Sequence, residues 1–131
     1  MYEVEWKSSG KRGRGVFALK NFKKGELIEE CPAVPLTNKE RALIGKTILE
    51  YYVYPWRGDK DGAIVLGYSM LYNHSLDPNA RYYLKYGSRK IIYKALKSIK
   101  KGEEILVNYN GDPKIKDETV LFDYRRRSSR V

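Results

Sequence analysis

Apolar and polar residues alternate with period two from Tyr2 to Lys7, placing Tyr2, Val4 and Trp6 on one side and Glu3, Glu5 and Lys7 on the other, the pattern of a half-buried strand. Ser8 to Gly15 breaks it with three glycines in six positions, and Val16, Phe17 and Ala18 resume a strand, so a hairpin is expected. After a turn at Asn21 to Gly25, Glu26 to Cys31 reads as a strand closed by Pro32. Thr37 and Glu40 have capping-box spacing and predict a short helix from Asn38 to Ile44, stopped by Gly45. The aromatic, β-branched run Ile48 to Pro55 predicts a strand, Trp56 to Gly62 a turn, and Ala63 to Leu66 its return strand. Ser69 to Tyr72 reads as one helical turn. Arg81 to Lys85 and Lys90 to Ala95 form a hairpin around Gly87, and the turn Lys97 to Glu104 leads into the apolar Ile105 to Val107. Many short strands without long intervening helices indicate a mainly β fold of small antiparallel sheets, not a Rossmann-type domain.

The chain has 131 residues, enough for one domain with one core. Its sole cysteine, Cys31, excludes an internal disulfide, and with the sole histidine, His74, leaves too few soft ligands for a structural metal site. No run approaches the roughly 18 apolar residues of a membrane span, so an intracellular, cytoplasmic protein is expected, without membrane partners. Lys and Arg number 26 against 16 Asp and Glu, a net charge of +10 that favours non-specific polyanion binding. Tyrosine is abundant, at 12 residues; interleaved with basic residues it suits a nucleic-acid surface, and equally the half-buried strands of a β domain.

The densest polar chemistry lies in GYSMLYNHSLDPNA, Gly67 to Ala80. Asn73, Ser75, Asp77 and Asn79 are residues that bond to nearby backbone, and Pro78 fixes φ, so by itself this stretch is an ordered turn whose histidine satisfies backbone groups.

Three separated stretches, GRGVFA (Gly13 to Ala18), NHSLDPNA (Asn73 to Ala80) and KKGEEILVNY (Lys100 to Tyr109), joined by NFKKGELIEE (Asn21 to Glu30), stand in an order and spacing that resembles the SET domain of S-adenosylmethionine-dependent protein-lysine methyltransferases. The resemblance covers about residues 12 to 112 and implies a SET-type fold with a C-terminal segment threaded, pseudoknot-like, under an earlier loop. Residues 1–112 would be the catalytic domain, and 113–131 a lid and basic tail of the same domain.

It further implies S-adenosylmethionine as cofactor, with Asn73 and His74 and the backbone of Arg12, Gly13, Arg14 and Gly15 around it, and a tail aromatic, Phe122 or Tyr124, stacked on its adenine. The glycines would let the backbone approach, a side chain there holding the cofactor away. Tyr109 matches the active-site tyrosine, acting as an orienting group rather than a general base. Tyr82 matches a channel tyrosine that limits the number of methyls, with Tyr83 the alternative for the inward face. Tyr51, Tyr52 and Tyr54 are candidates for the channel wall, or for core packing. The partner would be a lysine-containing protein, one bound to nucleic acid or chromatin among the options, and a homodimer could complete the substrate groove. The alternative function is a basic nucleic-acid- or chromatin-associated module without transfer activity. Many members carry cysteine-rich zinc flanks, which the one cysteine of this sequence is not expected to form, and Met70, Leu71 and Tyr72 stand where larger members often carry Arg-Phe before the Asn-His pair.

Overall fold

The computed structural model describes residues 2–58 and 61–116. Its strands are β1 (Val4–Ser8), β2 (Arg14–Ala18), β3 (Leu27–Leu36), β4 (Gly62–Val65), β5 (Asn73–His74), β6 (Ala80–Lys85), β7 (Lys90–Ala95) and β8 (Glu104–Val107), with one α-helix, α1 (Asn38–Ile44). They form two four-stranded sheets, ordered β1-β2-β8-β5 and β4-β3-β7-β6. All pairings are antiparallel except that of β5 with β8, which is parallel. Among the described residues no helix is long and apolar enough to cross a membrane.

The period-two pattern at the N-terminus folds as the expected hairpin, with Val4 opposite Ala18 and Ser8 opposite Arg14. Its turn contains a 3-10 segment, Gly10–Arg12, and Gly13 at φ 80°, a left-handed conformation that favours glycine. Helix α1 begins as the sequence predicts: Thr37 Oγ1 accepts from the Glu40 amide and the Glu40 carboxylate accepts from the Thr37 amide.

Two expectations are corrected. β3 does not close at Pro32 but runs on to Leu36. Residues Leu27 to Pro32 pair with β7 and Ala33 to Leu36 with β4, so Pro32 sits where the strand changes partner. Its carbonyl still accepts from Leu66, and the N–H it lacks is not missed at such a switch. The run Ile48 to Pro55 is not a strand; Ile48–Tyr51 is a 3-10 turn, and only Tyr54 makes a β-bridge, to Ala63. Thr47 Oγ1 caps the turn through the Leu49 amide, and Arg41 grips Glu50 with two bonds of 2.7 and 3.1 Å. These contacts outweigh the weak β preference of the aromatic residues.

One buried cluster joins the sheets, including Val16, Ile105 and Val107 from the first and Ile28, Val65, Ile91 and Tyr93 from the second, with Tyr72 between the two runs of chain. The C-terminal β8 lies between β2 and β5. Asn79 fastens it like an extra piece of backbone: its N–H donates to Leu106, its side-chain oxygen accepts from the Leu106 amide, and its side-chain nitrogen donates to the Glu104 carbonyl. Ser75 N–H donates to the Val107 carbonyl, so residues 73–79 bracket β8 from one side.

Candidate active site

The stretch that follows β8 turns back across β5 and β6. Tyr109 N–H donates to His74 Nδ1 at 3.0 Å, which leaves the ring hydrogen of this buried histidine on Nε2. The Tyr109 hydroxyl donates to the Tyr72 carbonyl at 2.6 Å, and the Tyr109 carbonyl accepts from the Tyr82 hydroxyl at 2.9 Å. Each of Tyr109's polar groups is therefore positioned by a different element. Gly111, at φ 89°, passes close to Tyr82; a Cβ there would lie 3.5 Å from the Tyr82 hydroxyl.

Around this centre the tyrosines form a connected wall. Tyr54 packs edge-on to Tyr82 at 5.4 Å, Tyr82 lies 6.1 Å from Tyr93, and Tyr93 stacks on Tyr72 at 4.2 Å. The Tyr54 and Tyr93 hydroxyls are bonded to each other and both reach the Ser69 carbonyl. Tyr72 donates to Glu29 at 2.8 Å, and the second Glu29 oxygen accepts from the Tyr68 amide at 3.1 Å. Burial keeps these phenols protonated: Tyr54, Tyr72 and Tyr93 are raised well above the ordinary tyrosine range, and Tyr82 is pushed up to about 12. The wall thus consists of neutral hydroxyl donors and aromatic faces. Burial also raises the thiol of Cys31, next to Glu29, and leaves it a neutral core group.

A second polar cluster lies on the other side of β5. Asn73, fully buried, directs its side-chain nitrogen to the Arg14 carbonyl at 3.0 Å, Glu104 Oε2 at 2.7 Å and Ser9 Oγ at 3.2 Å. The Glu104 carboxylate also binds Arg12 at 3.0 Å. Gly15 is required by this packing, since a Cβ on it would stand 2.4 Å from Glu104 Oε2 and 2.9 Å from Asn73 Nδ2. The space that a side chain at Gly15 would need is held by the protein's own polar groups, in addition to any demand from a bound molecule.

Two groups of candidates emerge. Arg12, Arg14, Gly15 and Asn73 meet at the β2–β8–β5 edge, next to the turn at Gly13; Tyr54, Tyr82, Tyr109 and His74 meet at the ends of β5, β6 and β8. Tyr83 is not brought in. Strand alternation turns it away from Tyr82, toward Arg81 and Lys85, whose cationic groups lie 5.0 and 5.9 Å from its ring. Tyr51 and Tyr52, half-buried, sit on the 3-10 turn after α1 instead of the expected strand. Phe122 and Tyr124 lie outside the described residues. Sequence reasoning missed Glu104 and Glu29, and gave Asn79 only as a residue bonding to nearby backbone, whereas its partners lie on β8. Glu104 was hidden inside what reads as a turn, although its place at the start of the apolar Ile105 to Val107 run was a signal that it belongs to a strand.

The SET domain family model matches residues 13–110, which span both clusters. A curated relative from Schizosaccharomyces pombe, the histone-lysine N-methyltransferase specific for H3 lysine-37, is 31% identical over 116 residues, covering 88% of this chain and 78% of its own. A crystal structure of a candidate histone methyltransferase from Plasmodium falciparum superposes with TM-score 0.66 at 35% identity, covering 83% of this chain and 94% of its own. The fold recurs in ctPRC2 in an autoinhibited conformation bound to S-adenosylmethionine, with TM-score 0.70 at 22% identity over 96% of this chain and 17% of the ctPRC2 chain. On the family match and the fungal relative, this chain belongs to the SET domain family of protein-lysine methyltransferases.

Proposed function

We propose that this protein transfers a methyl group from S-adenosylmethionine to the side-chain amine of a lysine in a chromatin protein, a histone tail being the favoured substrate. The observation that carries the reading is Tyr109, tied by its amide to His74, by its hydroxyl to the Tyr72 carbonyl and by its carbonyl to Tyr82. The fungal relative's specificity for a histone H3 lysine supports the substrate class, and a nuclear, chromatin-associated location follows from it.

The donor set beside Asn73 fits the cofactor. Its methionine portion carries an ammonium and a carboxylate, and the cluster offers the Glu104 carboxylate, the Arg14 carbonyl, the Asn73 amide and the Arg12 guanidinium. Arg12 to Gly15, Asn73 and His74 would hold it, and when bound it supplies an electrophilic methyl group.

The chain's own residues have three tasks in this reaction. The first is alignment: an in-line displacement gains up to about 7–11 kcal/mol from fixed geometry, and a wall of Tyr54 and Tyr82, backed by the buried Tyr93, guides an extended lysine side chain. The second is deprotonation. Lysine in water has a pKa near 10.4, and an aromatic, desolvated channel favours the neutral amine. The third is electrostatic. The Tyr109 hydroxyl donates its proton to the Tyr72 carbonyl, which fixes the direction of its oxygen, and a phenol oxygen held this way orients the reacting methyl and amine. Tyr109 is in this account an orienting group; it neither takes nor gives a proton.

The test is incubation with labelled S-adenosylmethionine and recombinant histones. Label on a histone lysine supports the reading; cofactor binding without transfer to any lysine-containing protein would favour the non-enzymatic, nucleic-acid-associated alternative.

A further inference from the structure

The β6–β7 hairpin holds a backbone conformation that its sequence does not favour. Arg89 has φ 50°, the one non-glycine at positive φ among the described residues, in a loop position that ordinarily takes Gly or Asn. Its N–H donates to the Tyr86 carbonyl at 3.1 Å and its carbonyl accepts from the Ala33 amide at 2.8 Å, so the conformation is locked onto β3. Backbone strain retained in this way gathers at functional positions.

The Arg89 side chain lines an open concavity of about 420 Å³ together with Trp56, Arg57, Asp61, Tyr86 and the end of β3. Trp56, only 5% exposed, meets Tyr86 edge-on at 5.0 Å. The Arg57 guanidinium lies over the Tyr86 ring at 5.2 Å, which fixes its position. Asp61, which lines the same concavity, accepts from the amides of Arg57 and Gly58 at 3.0 Å and interacts electrostatically with Arg57. Neither Arg57 nor Arg89 forms an ion pair among the described residues. Two arginines, one with its guanidinium held on an aromatic ring, therefore line a cavity of ligand size.

We propose that this concavity is an exosite for the protein substrate, in which Arg57 and Arg89 bind the carboxylate of an acidic residue; the assignment to substrate rests on the methyl-transfer reading above. Arginine matches a carboxylate with paired, charge-assisted hydrogen bonds. A nucleic-acid strand fits less well: one face of Tyr86 is already taken by Arg57, and two arginines in a pocket do not make the stripe that tracks a phosphate backbone. Tyr86 lies four residues beyond Tyr82 in the chain, roughly 13 Å at strand rise. An extended peptide would span this with about three residues between the target lysine and the acidic anchor.

The test measures binding, by fluorescence anisotropy, of a short fluorescein-labelled glutamate–glycine peptide to the whole chain, with glutamine–glycine and oligothymidine probes alongside. Tighter binding of the glutamate peptide than of its glutamine counterpart is expected, weakened about tenfold or more by Arg57→Ala and by Arg89→Gly. Arg89→Gly also relieves the strained backbone, so its melting temperature should be no lower than that of the wild type, separating lost binding from lost folding. Lys100→Ala, an equal loss of charge on another surface, should change binding less than about twofold. Equal losses in the lysine variant would overturn the proposal in favour of general charge attraction. So would oligothymidine binding more tightly than the peptide with the same dependence on both arginines. Peptide binding that persists in a protein unable to transfer methyl groups would sink the methyl-transfer reading and leave the anion site standing, whereas lost arginine dependence with intact transfer would do the reverse.

Discussion

Replacing Asn73 by alanine probes the junction of the two site halves. The Asn73 amide has two hydrogens and meets three acceptors, so at most two of its contacts are strong, and the shortest is to Glu104 Oε2 at 2.7 Å. A hydrogen bond to a charged group contributes about 1.5–3 kcal/mol, and a buried carbonyl left without its donor, here that of Arg14, costs about 1–3 kcal/mol. Glu104 keeps Arg12, a half-exposed partner whose contribution is screened, so the sum is discounted to about 3 kcal/mol. Against a total stability of about 5–15 kcal/mol that is a large loss. With an m-value of about 2 kcal/mol/M, the urea midpoint should fall by about 1.5 M. Pairing Asn73→Ala with Glu104→Ala should give a coupling energy of about 1–2 kcal/mol, because the two share one contact. Calorimetric titration with S-adenosylmethionine should show weakened affinity in the folded variant. A destabilisation below about 0.5 kcal/mol, or strictly additive single losses, would refute the claim that Asn73 and Glu104 act as one unit.

Tyr82→Phe leaves the Tyr109 carbonyl without its donor and should cost about 1 kcal/mol in urea unfolding, while mass spectrometry of the reacted substrate shifts toward higher methylation as the hydroxyl vanishes; an unchanged product distribution argues against a channel role. Stability should depend on alkaline pH in a defined window. Tyrosine unfolded has a pKa near 10 and folded Tyr82 about 12, with Tyr54, Tyr72 and Tyr93 raised further, so their contribution is complete below about pH 10 and is lost as pH rises through the folded values. Thermal melts from pH 8 to 12 check this, and a flat profile contradicts it. Deleting the residues after Asp117 should weaken S-adenosylmethionine binding in calorimetry by about tenfold if Phe122 or Tyr124 stacks on adenine; unchanged affinity removes the lid from the account.

Local rules carried much of this architecture. Alternation at Tyr2 to Lys7, the capping box of Thr37 and Glu40, and the glycine loop between β6 and β7 all specify structure within a few residues, and the fold follows them. Reading stopped where a distant partner decides the outcome. Pro32 signals a strand end, yet β4 arrives to continue the ladder on its far side. The aromatic run at Tyr51 to Tyr54 has β preference, yet the Arg41–Glu50 pair and the Thr47 cap curl its start into a 3-10 turn. In the site, Asn73, His74 and Tyr109 stood out by residue type and order. Glu104 and Glu29 did not, because what marks them is burial beside Asn73 and Tyr72, contacts made across 31 and 43 residues of chain. Tyr82 and Tyr83 could be separated only by knowing which strand face meets Tyr54.

The central claim is that the Tyr109 hydroxyl, fixed by the Tyr72 carbonyl, orients the reacting methyl and amine. Single-turnover transfer of labelled methyl to histone H3 by Tyr109→Phe tests it most directly, with S-adenosylmethionine affinity measured on the same folded protein. Loss of one fixed polar group at the reaction centre predicts a fall in the transfer rate of about 100-fold or more, with cofactor affinity within about threefold of wild type. Transfer at the wild-type rate would contradict the account.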